Sequence, residues 1–197
     1  MARPLEFNRP QAVNKALVLF WHKGYQAASL TDLLVAMGIG RSSFYAAFID
    51  KRSLYIECLD LFAARTVKLL RRFRAKVPPV DALQSFFQRS FVAARGTGAA
   101  RNSRSDWGCL LVNTVLEMAG VDEDLVARAS RYLGNVQGIF QAYLQEAGAS
   151  RAAAEELAAL LMLVNEGVRV SSRRRLPKEQ VLKPVSTAFA LIRRAIA

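Results

Sequence analysis

An all-α fold is what this sequence predicts, and three observations predict it. Apolar residues recur at three- and four-residue spacing along most of the chain, the period of an amphipathic helix. Alternating runs of Val, Ile or Thr bounded by hairpin dipeptides are nearly absent. Gly, Pro and capping residues break the periodic stretches at intervals that suit helices. About nine helices and no sheet are expected, with no repeat period and no sustained heptad seam.

The first helix begins at Asn8-Arg9-Pro10, a start signal with Pro near the first helical position. Val13, Ala16, Leu17, Phe20 and Trp21 share one face, and Gly24 ends it. Ser29-Leu30-Thr31-Asp32 reads as a capping box. Leu30, Leu33, Leu34 and Met37 then form an apolar stripe that Gly38 closes. Gly38-Ile39-Gly40 leads into a short helix, Arg41–Phe48, with Asp50 as N-cap of a long one from Lys51 to about Lys76. Pro78-Pro79 cannot continue that helix. Val80–Ala94 follows with Leu83, Phe86, Phe87, Phe91 and Val92 inside, and Gly96–Asp106 is expected to be a loop rich in Gly, Ser and Arg. Further helices are expected at Gly108–Ala119, Asp122–Ala147, Arg151–Ser171 and Pro184–Ile196, the last two separated by Arg173-Arg174-Arg175-Leu176-Pro177.

The 197 residues carry 28 Lys and Arg against 16 Asp and Glu, a formal charge of +12. That length suits one globular unit, or a small module fused to a larger one. Residues 61–105 hold ten basic groups and one acidic group, so the excess is concentrated there. Such a field favours polyanions, nucleic acid being the usual one. A 52% hydrophobic composition excludes disorder as the ground state. No apolar run reaches the roughly 18 residues of a membrane span, and no secretory leader pattern opens the chain. The cytoplasm is the expected compartment. Cys58, Cys109 and the single histidine, His22, provide neither a disulfide framework nor a metal cluster. No cofactor is expected.

Two short helices joined by a three-residue Gly-containing turn form the helix-turn-helix pattern, whose second helix enters the DNA major groove. Gly38 is expected to take the left-handed conformation, Ile39 to plug the space between the helices, and Gly40 to allow close backbone approach. Phe44 and Phe48 pack inward, leaving Arg41, Ser42 and Ser43 outward. A bidentate Arg41–guanine pair would supply roughly 1–3 kcal/mol of base discrimination.

From about Arg9 to Asp60 the chain resembles the TetR family of bacterial one-component transcription repressors. The resemblance is carried by Lys23-Gly24-Tyr25, Ala28-Ser29-Leu30-Thr31-Asp32-Leu33-Leu34, Met37-Gly38-Ile39-Gly40-Arg41-Ser42-Ser43-Phe44-Tyr45 and Phe48-Ile49-Asp50-Lys51-Arg52-Ser53-Leu54. It implies a DNA-binding head over residues 1–60 and a ligand-binding and dimerisation domain over 61–197. It also implies base contacts from Arg41, Ser42 and Ser43, and phosphate contacts from Thr31, Tyr45 and Lys51. Two departures stand out. Ala46 and Ala47 replace the family's frequent His or aromatic, and Gly40 replaces Ser or Thr, so a phosphate contact and a helix cap are lost.

For the remainder, Phe86, Phe87, Phe91, Trp107, Met118, Phe140, Tyr143 and Met162 offer apolar lining, and Asn113, Glu117, Asn165 and Glu166 offer polar groups. That mixture suits a small-molecule site. The expected ligand contacts are Phe87, Phe91, Trp107, Cys109, Asn113, Glu117, Phe140 and Asn165. Cys109 stands at an expected helix N-terminus beside Arg101 and Arg104, features that favour thiolate and suggest a sensor of electrophiles or oxidants. Arg151–Val170 and Pro184–Ile196 are the expected dimer helices. A homodimer would place two reading helices roughly 34–36 Å apart on a pseudo-palindromic operator in double-stranded DNA. The reading is thus a repressor released by an unidentified small-molecule or thiol-reactive inducer, not an enzyme. A ligand-independent DNA-binding or scaffolding protein with a filled C-terminal core is the alternative.

Overall fold

The computed structural model describes residues 7–92, 107–174 and 176–196, without the side chains of 90–92 and 178. Among the described residues the chain forms nine α-helices and no strand. They are α1 Arg9–Lys23, α2 Leu30–Met37, α3 Arg41–Ala47, α4 Lys51–Arg74, α5 Pro79–Val92, α6 Leu110–Met118, α7 Glu123–Glu146, α8 Arg151–Arg173 and α9 Lys178–Ile196. The expected Gly96–Asp106 loop lies outside the described residues.

Local chemistry accounts for most boundaries. The Asn8 side chain accepts the Gln11 N–H to open α1, and Asp50, Asp122 and Ser150 do the same for α4, α7 and α8. At α2 the box closes in both directions: Ser29 Oγ accepts the Asp32 N–H, and the Asp32 carboxylate accepts the Ser29 N–H at 3.0 Å. Gly38 takes φ +72°, its N–H reaching Val35 O while the Ile39 N–H reaches Leu34 O. That is a Schellman closure, and an L side chain at Gly38 would be strained. Pro79 opens α5, where its missing N–H costs nothing.

Two expectations need correction. The last helix begins at Lys178, with Pro184 inside it. One backbone hydrogen bond is forfeited there, but Val181, Val185, Phe189 and Ile192 form one buried face that continues through the proline. Gly40 is the other. It has φ −77°, and a Cβ built on it meets nothing within 4 Å. No close backbone approach requires a glycine at that position.

Packing divides into two clusters. One joins α1 to α3 and the first half of α4 with Cys109–Val112, Met118, Leu125 and Ala129. The other joins the end of α4 with α5, the second half of α7, α8 and α9. α6 thus packs with the N-terminal helices although it follows them by some sixty residues of chain. α4 runs unbroken through position 60, so the expected boundary falls within a continuous helix.

Candidate functional site

Two features stand out: the outer face of α3, and a cavity between α1 and the C-terminal helices. Phe44 and Phe48 are buried, their rings 5.6 Å apart, and they anchor α3 onto the N-terminal core. Arg41 and Ser42, in the first turn of α3, are left exposed and Ser43 half-buried. Tyr45 is 53% exposed, its ring meeting Phe44 edge-on. Thr31 is exposed too, and takes no part in the capping box of Ser29 and Asp32. Lys51 behaves differently. Its Nζ lies 4.6 Å from the centre of the Tyr25 ring and 3.5 Å from Gln26 O, folded back on the turn after α1. Burial lowers the Lys51 pKa, with Glu117 opposing that shift. Gly40 caps α3 without a side-chain hydrogen bond, as the glycine in place of Ser or Thr implies.

The N-terminal helices are clasped by α6 and the start of α7. The Glu117 carboxylate accepts the Tyr25 N–H at 2.9 Å and the Gln26 N–H at 2.8 Å. Arg52 pairs with Asp122 at 2.6 Å and holds that carboxyl below its ordinary range. Inside, Tyr55 donates to Thr114 Oγ1 at 2.8 Å, and Thr114 donates to Leu110 O. Trp21 Nε1 donates to Gly108 O at 3.2 Å. Lys23 and Ser29 hold the Asp32 carboxyl down at about 2.

A cavity of about 560 Å³ opens between these layers. Its walls are Leu17 and Trp21 of α1, Phe62, Arg65, Thr66 and Leu69 of α4, and Phe86 and Arg89 of α5. Cys109 and Leu111 at the start of α6, Leu133 and Val136 of α7, and Asn165 and Arg169 of α8 complete it. The volume lies within the range of small-molecule pockets. Burial pushes the Arg169 guanidinium below its ordinary value, with the neighbouring Cys109 opposing that shift. Arg169 stays a cation even so.

Of the eight expected ligand contacts, the structure brings Cys109 and Asn165 into the wall. Cys109 is the N-cap residue of α6 and is 6% exposed. Asn165 is buried and donates to Met162 Sδ at 3.7 Å. Phe87 and Phe140 belong to the core instead: their rings lie 5.7 Å apart, and Phe87 meets Phe189 at 5.3 Å. Trp107 packs on Trp21 and His22, not on the cavity. Asn113 spends its amide on Trp107 O at 2.8 Å, and Glu117 its carboxylate on the turn after α1. Phe91 lies outside the described side chains, and Arg101 and Arg104 outside the described residues. Sequence reasoning missed Trp21, Phe62, Arg65, Leu69 and Arg89. Phe62, Arg65, Thr66 and Leu69 share one face of α4, a mixed spacing that was the available signal.

Residues 13–58 match the signature described as "Bacterial regulatory proteins, tetR family". Residues 79–187 match "Transcriptional regulator LmrA/YxaF-like, C-terminal domain". Over 203 aligned residues, 96% of this chain and 90% of the relative, the sequence is 26% identical to the HTH-type transcriptional repressor ComR of Escherichia coli K12. It is also 26% identical over 141 residues, 71% of this chain and 70% of the relative, to the HTH-type regulator YezE of Bacillus subtilis 168. Among solved structures, a cysteine mutant of the TetR family transcriptional regulator CifR, complexed with 26-base-pair operator DNA, superposes with a TM-score of 0.75. That match has 26% identity and covers 95% of this chain and 98% of CifR.

Proposed function

Because the chain belongs to the TetR family of bacterial transcriptional regulators, we propose that it is a cytoplasmic homodimeric repressor that leaves its operator when a small molecule fills the cavity. The observation that carries this reading is the composition of the cavity wall. Leu17 and Trp21 come from the helix that supports the reading head, and the rest from the C-terminal helices. An occupant therefore touches both parts at once. It can favour one relative placement of them, and only such a differential affinity can release DNA. The open volume argues against the filled core of a ligand-independent protein.

In this reading residues 1–60 form the DNA-binding unit and 61–197 the ligand-binding and dimerisation unit. Arg41, Ser42 and Ser43 read bases, Thr31 and Tyr45 contact phosphate, and Lys51 adds a phosphate contact while bracing the Tyr25 turn. Leu160, Leu163 and Val170 are exposed along α8, and Leu191 along α9, which supplies an apolar face for a second copy. No catalytic step is assigned: His22 is exposed with its ring tilted against Trp107, and Glu117 is occupied by backbone N–H groups. A second reading, induction by a thiol-reactive electrophile, is favoured by Cys109 lining the cavity at the N-terminus of α6.

The test is selection of bound sequences from a random duplex pool, repeated at fixed salt with Arg41→Ala and after treatment with N-ethylmaleimide. A palindrome is expected to emerge, with its base preference relaxed by Arg41→Ala. Loss of the palindrome on alkylation of the wild type, but not of Cys109→Ala, would select the thiol mechanism. Failure to enrich any sequence would overturn the specific-repressor reading.

A further inference from the structure

The cavity wall includes three arginines, the exposed Arg65 and Arg89 and the half-buried Arg169, and no carboxylate among its described lining residues. They come from α4, α5 and α8, so no single solvated helix face accounts for them. Elsewhere five arginines pair with acids distant in sequence, Arg9 with Glu57, Arg52 with Asp122, Arg74 with Glu146, Arg128 with Asp60 and Arg193 with Asp81. Arg65 and Arg89 at the cavity have no such acid among the described residues. Arg65 donates instead to Asn14 Oδ1 at 2.7 Å, a neutral acceptor that leaves its charge in place. Arg169 lies with its guanidinium carbon 5.9 Å from the centre of the Phe86 ring, which sets a cation at the edge of an aromatic wall. The remaining walls are largely apolar: Trp21, Phe62, Leu69 and Leu133 among others.

We propose that the effector of this cavity is an amphipathic organic anion: an apolar body held against Trp21, Phe62 and Phe86, with a carboxylate or sulfonate head group received by Arg65, Arg89 and Arg169. The proposal rests on the reading of the cavity as the effector site. Guanidinium forks match such oxyanions bidentately, and the hydrogen bonds they make are charge-assisted. A cationic ligand would meet the like charges of Arg65 and Arg89, which no acid among the described residues offsets. A neutral ligand of the same shape would gain the apolar walls alone.

The experiment compares two fluorophores of nearly equal shape on the full chain: 8-anilinonaphthalene-1-sulfonate, and N-phenyl-1-naphthylamine, which lacks the sulfonate. Binding is titrated by fluorescence, and occupancy of the cavity is read as protection of Cys109 from N-ethylmaleimide, scored by mass spectrometry. The anion is expected to bind at least about tenfold tighter than the amine and to protect Cys109. The double variant Arg65→Gln/Arg89→Gln is expected to lose most of that preference, with the amine's affinity held within about twofold. A circular-dichroism melt of the variant confirms that it is folded. Should that variant fail to fold, the single variant Arg89→Gln, at an exposed position of α5, is expected to lose about threefold of the preference. Equal affinity for the two probes, with Cys109 protected by both, would overturn the anion class while leaving the cavity as a ligand site. An anion preference that survives the double variant, or binding that leaves Cys109 unprotected, would overturn it as adhesion to the basic surface. Absence of binding by either probe would overturn the cavity reading itself.

Discussion

Glu117→Gln separates the part of the fold that holds the head from the part that reads DNA. Each Glu117 carboxylate oxygen receives one backbone N–H, from Tyr25 at 2.9 Å and from Gln26 at 2.8 Å. A hydrogen bond to a charged acceptor contributes about 1.5–3 kcal/mol. Glutamine keeps one acceptor oxygen and turns its NH₂ toward the other N–H, so one bond is lost and the other becomes neutral. Solvent reaches the exposed Gln26 side and replaces part of that loss, which leaves about 2 kcal/mol net. For a chain of this size the melting temperature should fall by about 4–8 °C. Glu156→Gln, an exposed acid on α8, is the control and should stay within about 0.5 kcal/mol of wild type. Gly24 supplies an internal check. Its φ is +90°, and a Cβ there would sit 2.9 Å from Glu117 Oε1. Gly24→Ala therefore combines backbone strain with displacement of the carboxylate. In a Glu117→Ala background only the strain remains, so the two changes should be non-additive by about 1 kcal/mol. Coincident melting curves for wild type and Glu117→Gln, or strict additivity in the cycle, would refute the clasp.

Three further outcomes follow from named contacts. Gly40→Ser should raise the unfolding free energy measured by urea titration by about 1 kcal/mol, because the site has open space, an ordinary negative φ and no existing side-chain cap. Stability should fall as the pH drops from about 5 toward 2. Asp32 is held at about 2, and Asp122 is also lowered, against an unfolded value of 3.8. The unfolded chain then binds more protons over that interval, so stability is complete above it and is lost on descent, as urea midpoints taken across pH would show. Leu163→Glu puts a charge on the exposed apolar stripe of α8. Sedimentation should then report a monomer with an unchanged circular-dichroism spectrum, and a persistent dimer would move the interface elsewhere.

Legibility in the sequence followed the range of the interactions. The α2 capping box, the Gly38 turn and the inward pair Phe44 and Phe48 could be read because each is decided within five residues. The cavity could not, because its wall is assembled from six helices, and periodicity says which face of a helix is apolar without saying what it meets. Phe87 and Phe140 have the composition of lining residues and the contacts of core residues. Arg65 and Arg89 are exposed side chains whose place beside the cavity depends on how α4 and α5 pack. Pro184 misled in a third way: a local rule about helix breaking lost to a buried face formed by four residues spread over three turns.

The coupling between cavity and head is built into the order of helices along the chain. α6 forms part of the cavity wall with its N-cap Cys109 and with Leu111, and grips the turn after α1 with Glu117 near its end. α1 forms the facing wall with Leu17 and Trp21, and the same Trp21 is tied to Gly108 just before α6. A ligand that pushes α1 and α6 apart therefore works against a closed ring of contacts: Trp21 to Gly108, then α6, then Glu117 to Tyr25. The ring has two exits. Either the Trp21 bond opens and the head stays clasped, or the ring moves as a body and carries α2 and α3 with it through the short Gly24–Ser29 turn. Glu117 decides between them: its two charged bonds are stronger than the one neutral bond from Trp21, so the Trp21 bond yields first while the head stays clasped and follows α6 through the Gly24–Ser29 turn. A displacement at the cavity thus becomes a displacement of the reading helix, and two such displacements across a dimer change the half-site spacing that a palindrome fixes.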